Sequence, residues 1–141
     1  MVDIDVRYEG ELRCIATHGP SSATISTDAP VDNHGRGESF SPTDMVAAAL
    51  GTCMLTVMGI RAKKEGWAIE GTRVHVKKGM TTTGPRRIAR LEVRVEMPAI
   101  AMDLDERARE ILEHTANTCP VRLSILDAIE VPIEYEWRAP A

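Results

Sequence analysis

The sequence is poor in aromatic residues, poor in cysteine, and has no excess of positive charge. Two Trp, two Tyr and one Phe make up 4% of its 141 residues, too few to build a stacking platform for single-stranded nucleic acid. Lys and Arg number 17 against 21 Asp and Glu, a formal charge of −4, so the chain as a whole lacks a nucleic-acid footprint. The three cysteines, Cys14, Cys53 and Cys119, are odd in number and widely spaced. They form no CxxC and no zinc-finger Cys/His spacing, which argues against a structural zinc site. They are also too few for a disulfide-stapled secreted scaffold. The opening MVDIDVRYEG is not a basic-then-apolar signal peptide. The longest uncharged run, Met45 to Ile60, has 16 residues, two Gly and two Thr among them, short of the roughly 20 apolar residues of a membrane span. These absences lead us to expect one cytoplasmic, soluble domain over residues 1–141, with no nucleic-acid or membrane partner, no cofactor and no metal.

What is present is an ordinary globular balance, 43% hydrophobic and 27% charged, arranged in readable periods. Val2, Ile4, Val6 and Tyr8 alternate with charged residues, and Leu12, Cys14 and Ala16 alternate again after Glu9-Gly10. A turn at His18–Ser22 and a short strand at 23–27 complete a three-stranded meander. Residues 28–40 read as a loop. Ser41-Pro42-Thr43-Asp44 is a helix start: Ser41 as N-cap, Pro42 at the first helical position, Asp44 as the capping-box acid. The helix runs over about 42–65, apolar nearly all round to Ile60, and closes with Arg61, Lys63, Lys64 and Gly66. A helix without a polar face is expected to be buried.

Val74 and Val76, then Leu91, Val93, Val95 and Met97, alternate with charged residues on either side of the turn GMTTTGPRR, the pattern of an antiparallel sheet covered on one face. Asp103 with Glu106 opens a helix with Leu104, Ala108, Ile111 and Leu112 inward. It breaks at Cys119-Pro120, and a shorter helix restarts at Pro120 and runs to about Ala128. Val131, Ile133, Tyr135 and Trp137 form a last strand. The order βββ-α-ββ-αα-β is that of an α+β fold, an antiparallel sheet packed on a long central buried helix.

Two cysteines have positions that could carry chemistry. Cys53 lies in the apolar helix among Ala47, Ala48, Ala49, Gly51 and Thr52. It is either a redox thiol or a small hydrophobe in the core. Cys119, directly before Pro120, would occupy a helix N-cap, where unpaired N–H groups favour a thiolate. The alternative is an indifferent cap. Cys14 reads as core. His18, His34 and His75 are weak signals, and His114, five residues before Cys119, could pair with it or simply be solvated. GRGESF does not make a phosphate loop.

Taken together, SPTDMVAAALGTCMLTVMGI and HTANTCPVRLSIL resemble the two cysteine segments of the OsmC/Ohr family, the osmotically inducible and organic hydroperoxide resistance proteins. The element order matches across essentially the whole chain. The resemblance implies an intertwined homodimer with active sites at the subunit interface and thiol-dependent reduction of hydroperoxides. It makes Cys53 the peroxidatic thiol and Cys119 the resolving one, with an external dithiol, lipoyl-type or small-molecule, as reductant. It also implies an Arg that supports the reacting thiol, for which Arg13 matches best by position and Arg36 is the rival. The family's peroxidases carry a Glu directly after the helix-opening Pro, where this sequence has Thr43. Asp44, nine residues before Cys53 and half a turn round the helix, reads as a cap, and Glu38 could supply the carboxylate instead. An alkyl peroxide would suit a pocket of Ala, Leu and Met side chains on the central helix. The missing Glu leaves an alternative: a redox-responsive or ligand-binding dimer that keeps the fold and the thiols without efficient turnover.

Overall fold

Alternation puts the N-terminal segment into strands. The computed structural model describes residues 1–137, which divide into two compact units, Met1–Val46 and the chain from Ala47 onward. In the first, β1 (Ile4–Gly10), β2 (Arg13–His18) and β3 (Thr24–Asp28) form an antiparallel sheet in that order. The chain turns from β1 to β2 through three left-handed residues, Gly10, Glu11 and Leu12; at Gly10 there is no Cβ to resist that conformation. Val6 faces Ala16 and Tyr8 faces Cys14, while Cys14 faces Thr27 and Ala16 faces Ile25. Ile4, Val6, Tyr8, Cys14, Ala16 and Ile25 therefore share one face of the sheet. Arg13 and Asp28 stand opposite each other on the other face.

A 24-residue helix, α1 (Pro42–Glu65), follows the loop. Its start is the expected reciprocal capping box: Asp44 Oδ2 accepts from the Ser41 amide (2.9 Å) and Ser41 Oγ accepts from the Asp44 amide (3.1 Å). Its end is closed by left-handed Gly66 and by the Trp67 amide bonding back to the Ala62 carbonyl (2.9 Å).

In the second unit, β4 (Arg73–Met80) and β5 (Ile88–Glu96) make an antiparallel hairpin. A register shift between Gly79 and Met80 moves the buried positions of β5 from Ile88 to Leu91, Val93 and Val95, because one extra residue exchanges the faces of a strand. At Gly51 α1 packs close against this sheet. A Cβ there would lie 3.3 Å from both Val74 Cγ1 and Val76 Cγ2. The outer face is charged, with Arg73 opposite Glu96 and Lys77 opposite Glu92.

Four sequence expectations need correction. The strands make two three-stranded sheets, and the second is mixed: β6 (Ile133–Glu136) runs parallel to β5, Val93 beside Ile133 and Val95 beside Tyr135. The connection between them carries two helices, long enough for the crossover that parallel pairing requires. The first of these helices, α2 (Glu106–Asn117), starts later than expected, with Asp105 rather than Asp103 as N-cap; Asp105 Oδ1 accepts from the Ala108 amide at 2.8 Å. The second, α3 (Pro120–Ser124), ends four residues short of Ala128, since Ile125 is extended. Ser124 Oγ also donates to the Pro120 carbonyl (2.7 Å).

The fourth correction concerns α1. It buries only one stripe within the chain, Ala47, Leu50, Gly51, Met54, Met58 and Ala62. Ala49, Thr52, Thr56 and Ile60, on the opposite side, are exposed. At 24 residues α1 is longer than the uncharged run inside it and is, by length and composition alone, long and apolar enough to cross a membrane.

Candidate active site

Helix periodicity sets Cys53 between the two sides of α1. At 100° per residue it falls on the shoulder of the exposed stripe, and it is partly exposed. Cys119 is 1% exposed and caps α3, its Sγ accepting from the Arg122 amide at 3.4 Å. Two backbone bonds shape the break before it, Thr118 N to His114 O (3.1 Å) and Cys119 N to Ala116 O (3.2 Å). The Cys53 side chain neighbours the Cys119 thiol, and neither cysteine is in a disulfide. Two thiols separated by 65 intervening residues are thus brought together within one compact unit.

The N-cap position expected for Cys119 is correct, but the thiolate character inferred from it is not. Burial pushes the Cys119 thiol above its ordinary value. The Arg122 amide opposes this, and the adjoining Cys53 adds to it. A five-residue helix carries too small a dipole to outweigh removal from water.

Tyr135 on β6 was missed in the sequence as anything but a core position. Its hydroxyl donates to Asn117 Oδ1 (2.7 Å), with the Glu113 carbonyl a second, longer acceptor at 3.3 Å, fastening the last turn of α2 two residues before Cys119. Burial, then the charge of Glu113 and the neighbouring Cys119, raise its phenol well above the ordinary value. Trp137 Nε1 donates to Glu113 Oε1 (2.7 Å), and the Arg109 guanidinium lies 5.0 Å from the Trp137 ring centre. Period-2 alternation marks Tyr135 as inward and carries no sign of these partners.

Arg13 belongs to the first unit. It is ion-paired with Glu38 and lies 3.5 Å from Asp28 Oδ2. Glu38 is the exposed member at 58%, and Asp28 is 1% exposed. The Glu38 amide donates to Asp28 Oδ2 at 3.0 Å. That amide, followed by the Arg13 charge, holds the Asp28 carboxyl below its ordinary range despite burial. Arg36 is paired with exposed Glu11, at 3.5 Å. Of the two carboxylates weighed as partners for the arginine, Glu38 makes the contact and Asp44 is engaged in the cap of α1. Asp28 was placed in a loop by the sequence reading, and nothing in the composition of that loop singled it out.

Of the α1 side chains expected to line an apolar pocket, Leu50, Met54 and Met58 are wholly buried in the core. The apolar groove that does border α1, about 520 Å³, is lined by Leu55, Gly59, Ala62, Trp67 and Ile69, and Leu55 is on the far side of the helix from Cys53. His114 is exposed. Among the described residues, no group of three His, Cys, Asp or Glu is placed to hold a metal ion.

Two neighbouring reduced cysteines can be oxidised to a disulfide. Residues 35–135 match the OsmC-like protein family, and the chain belongs to that family. A protein of Psychrobacter arcticus 273-4, described as an osmotic stress induced and detoxification response protein, is 40% identical and superposes with a TM-score of 0.88 over 96% of both chains. An organic hydroperoxide resistance protein OsmC of Legionella pneumophila is 15% identical, with a TM-score of 0.71 over 96% of both chains. The organic hydroperoxide resistance protein OhrB of Bacillus subtilis is 17% identical, with a TM-score of 0.66 over 96% of this chain and 98% of its own. No curated sequence matches the chain. Membership in this family, with relatives named for hydroperoxide resistance, supports a redox or peroxide-related role.

Proposed function

We propose that this protein is a thiol peroxidase that reduces organic hydroperoxides, with Cys53 as peroxidatic and Cys119 as resolving cysteine. The observation that carries the reading is the meeting of these two thiols, one partly open and one buried. The open thiol is suited to meet substrate and the buried one to wait for it. The Cys53 thiolate attacks the distal oxygen of the hydroperoxide. The O–O bond breaks, the alkoxide takes up a proton and leaves as alcohol, and Cys53 becomes a sulfenic acid. Cys119 sulfur then attacks Cys53 sulfur; the S–O bond breaks, water leaves with the thiol proton, and a disulfide forms. An external dithiol, lipoyl-type or small, returns both thiols by two exchanges and is itself oxidised. Arg13, held by Glu38 and Asp28, would supply the positive charge that supports the reacting sulfur. These two carboxylates weaken the case, based on Thr43, for a dimer without turnover.

The enzyme would act in the cytoplasm as a homodimer. Support for the second copy comes from the uncharged exposed stripe of α1 and the exposed Ile4, Val6 and Tyr8 of β1, since apolar surface of this extent marks an interaction face.

The cysteine variants test the assignment. Cys53→Ser should abolish peroxide consumption, while Cys119→Ser should leave a sulfenic acid that a dimedone-type reagent traps. Normal turnover by Cys53→Ser would show that Cys53 is not the peroxidatic residue.

A further inference from the structure

We propose that Asp28 is a positioning residue for Arg13: its buried carboxylate clamps the arginine and the loop that brings Glu38 to it. The inference deepens the function proposed above and rests on Arg13 serving Cys53.

The β2–β3 register places Arg13 and Asp28 directly opposite each other, and the Nη2–Oδ2 distance is 3.5 Å. Asp28 is 1% exposed, and a buried carboxylate is retained only with charge or hydrogen-bond partners. It has both kinds, the guanidinium on one side and the Glu38 amide on the other. The loop is folded tightly enough to deliver that amide. Gly37 is left-handed (φ +64) and donates to the Ala29 carbonyl (3.2 Å). Gly35 packs so closely that a Cβ would overlap the Ala29 carbonyl oxygen. The Asp28 amide in turn bonds the Phe40 carbonyl at 3.1 Å, closing the loop on itself.

The two carboxylates around Arg13 differ in kind. Glu38 is mostly in water, where an ion pair is weak and readily exchanged. Asp28 is out of water, where an ion pair is less readily exchanged. Glu38 is thus the partner that Arg13 can trade for an incoming anion, and Asp28 fixes the guanidinium while it does so. Arg13 Nε is buried with no hydrogen-bond partner among the described residues, so its N–H should exchange slowly when the clamp holds.

The test uses the reduced full-length protein with Asp28→Asn, Asp28→Ala, Glu38→Gln and Arg13→Gln. Asn keeps an acceptor for the Glu38 amide and removes only the charge, so Asp28→Asn should disturb the fold less than Asp28→Ala. The first readout is Cys53 alkylation by iodoacetamide, resolved by peptide mass; the second is the Arg13 Nε–H signal in 15N NMR. Asp28→Asn should slow Cys53 alkylation at pH 7 about tenfold, displace its pH profile upward, and weaken the Nε–H signal. Glu38→Gln, which removes the exposed partner, should slow alkylation less than Asp28→Asn does. Wild-type alkylation by Asp28→Asn, alongside impaired Arg13→Gln, would overturn the clamp. If Arg13→Gln alkylates normally, the role given to Arg13 under the proposed function fails. The Nε–H signal then decides the clamp alone, and a signal unchanged in Asp28→Asn overturns it. Absence of peroxide turnover in the wild type would refute the peroxidase and leave both readouts intact.

Discussion

Replacing Asp44 separates a structural carboxylate from a functional one. Asp44 Oδ2 accepts from the Ser41 amide at 2.9 Å, and Ser41 is 1% exposed, so Asp44→Ala removes a partner from a buried N–H. Loss of a cap costs about 0.5–2 kcal/mol and an orphaned buried donor about 1–3 kcal/mol; the two estimates describe one bond and overlap near 1–2 kcal/mol. Asp44→Asn keeps an acceptor and loses only the charge near the helix N-terminus, worth about 0.3–1 kcal/mol. In urea, with an m-value of about 2 kcal/mol/M, the Ala variant should unfold at a midpoint lower by roughly 0.5–1 M and the Asn variant by less than half of that. Below the transition, oxidation of Asp44→Asn by an alkyl hydroperoxide should proceed within twofold of wild type. Equal destabilisation by Ala and Asn would refute the hydrogen-bond argument. A hundredfold slower oxidation of the Asn variant would return the functional carboxylate to α1.

Other consequences follow from burial and charge. Leu50 is 0% exposed, so Leu50→Ala should cost about 2–5 kcal/mol by chemical denaturation. Gly51→Leu drives a side chain into Val74 and Val76, 3.3 Å from the ideal Cβ, and should lose about 2 kcal/mol or more, seen as a lowered Tm. Among the three cysteines of the native, reduced protein, Cys119 should be alkylated last, because it is buried and its thiol is pushed up; mass mapping that finds it first would refute this. The Asp28 carboxyl is held low in the folded chain, so its contribution is present above the unfolded value near 3.9 and disappears as pH falls through the folded value. The stability gap between wild type and Asp28→Asn should therefore narrow on acidification.

The element order was legible because alternation and capping are local. Val74/Val76, Leu91–Met97 and Ile4–Tyr8 declare strands by themselves, and Ser41–Asp44 with Gly66 brackets α1. What escaped the reading depends on distant parts of the chain. The parallel direction of β6 follows from the crossover, not from its own residues. The thiol of Cys119 was judged by the helix end next to it, whereas burial by the rest of the fold decides its direction of shift. An apolar helix told us that α1 would be covered, yet only one stripe is covered by its own chain. The candidate site divides the same way. Cys53 and Cys119 were legible as a pair through resemblance and Arg13 was preferred to Arg36 by position, while the choice of carboxylate between Glu38 and Asp44 stayed open until the Arg13–Glu38 contact was seen. Asp28 became visible only when the β2–β3 register put it across from Arg13.

The most direct measurement is stopped-flow oxidation of the reduced protein by an alkyl hydroperoxide and by hydrogen peroxide, followed by a thiol count. The peroxidase account requires rapid loss of two thiols per chain, faster with the organic peroxide, with Cys14 left free and Cys53 joined to Cys119. Slow oxidation by both peroxides, or loss of thiols that leaves Cys53 and Cys119 unjoined, would contradict it.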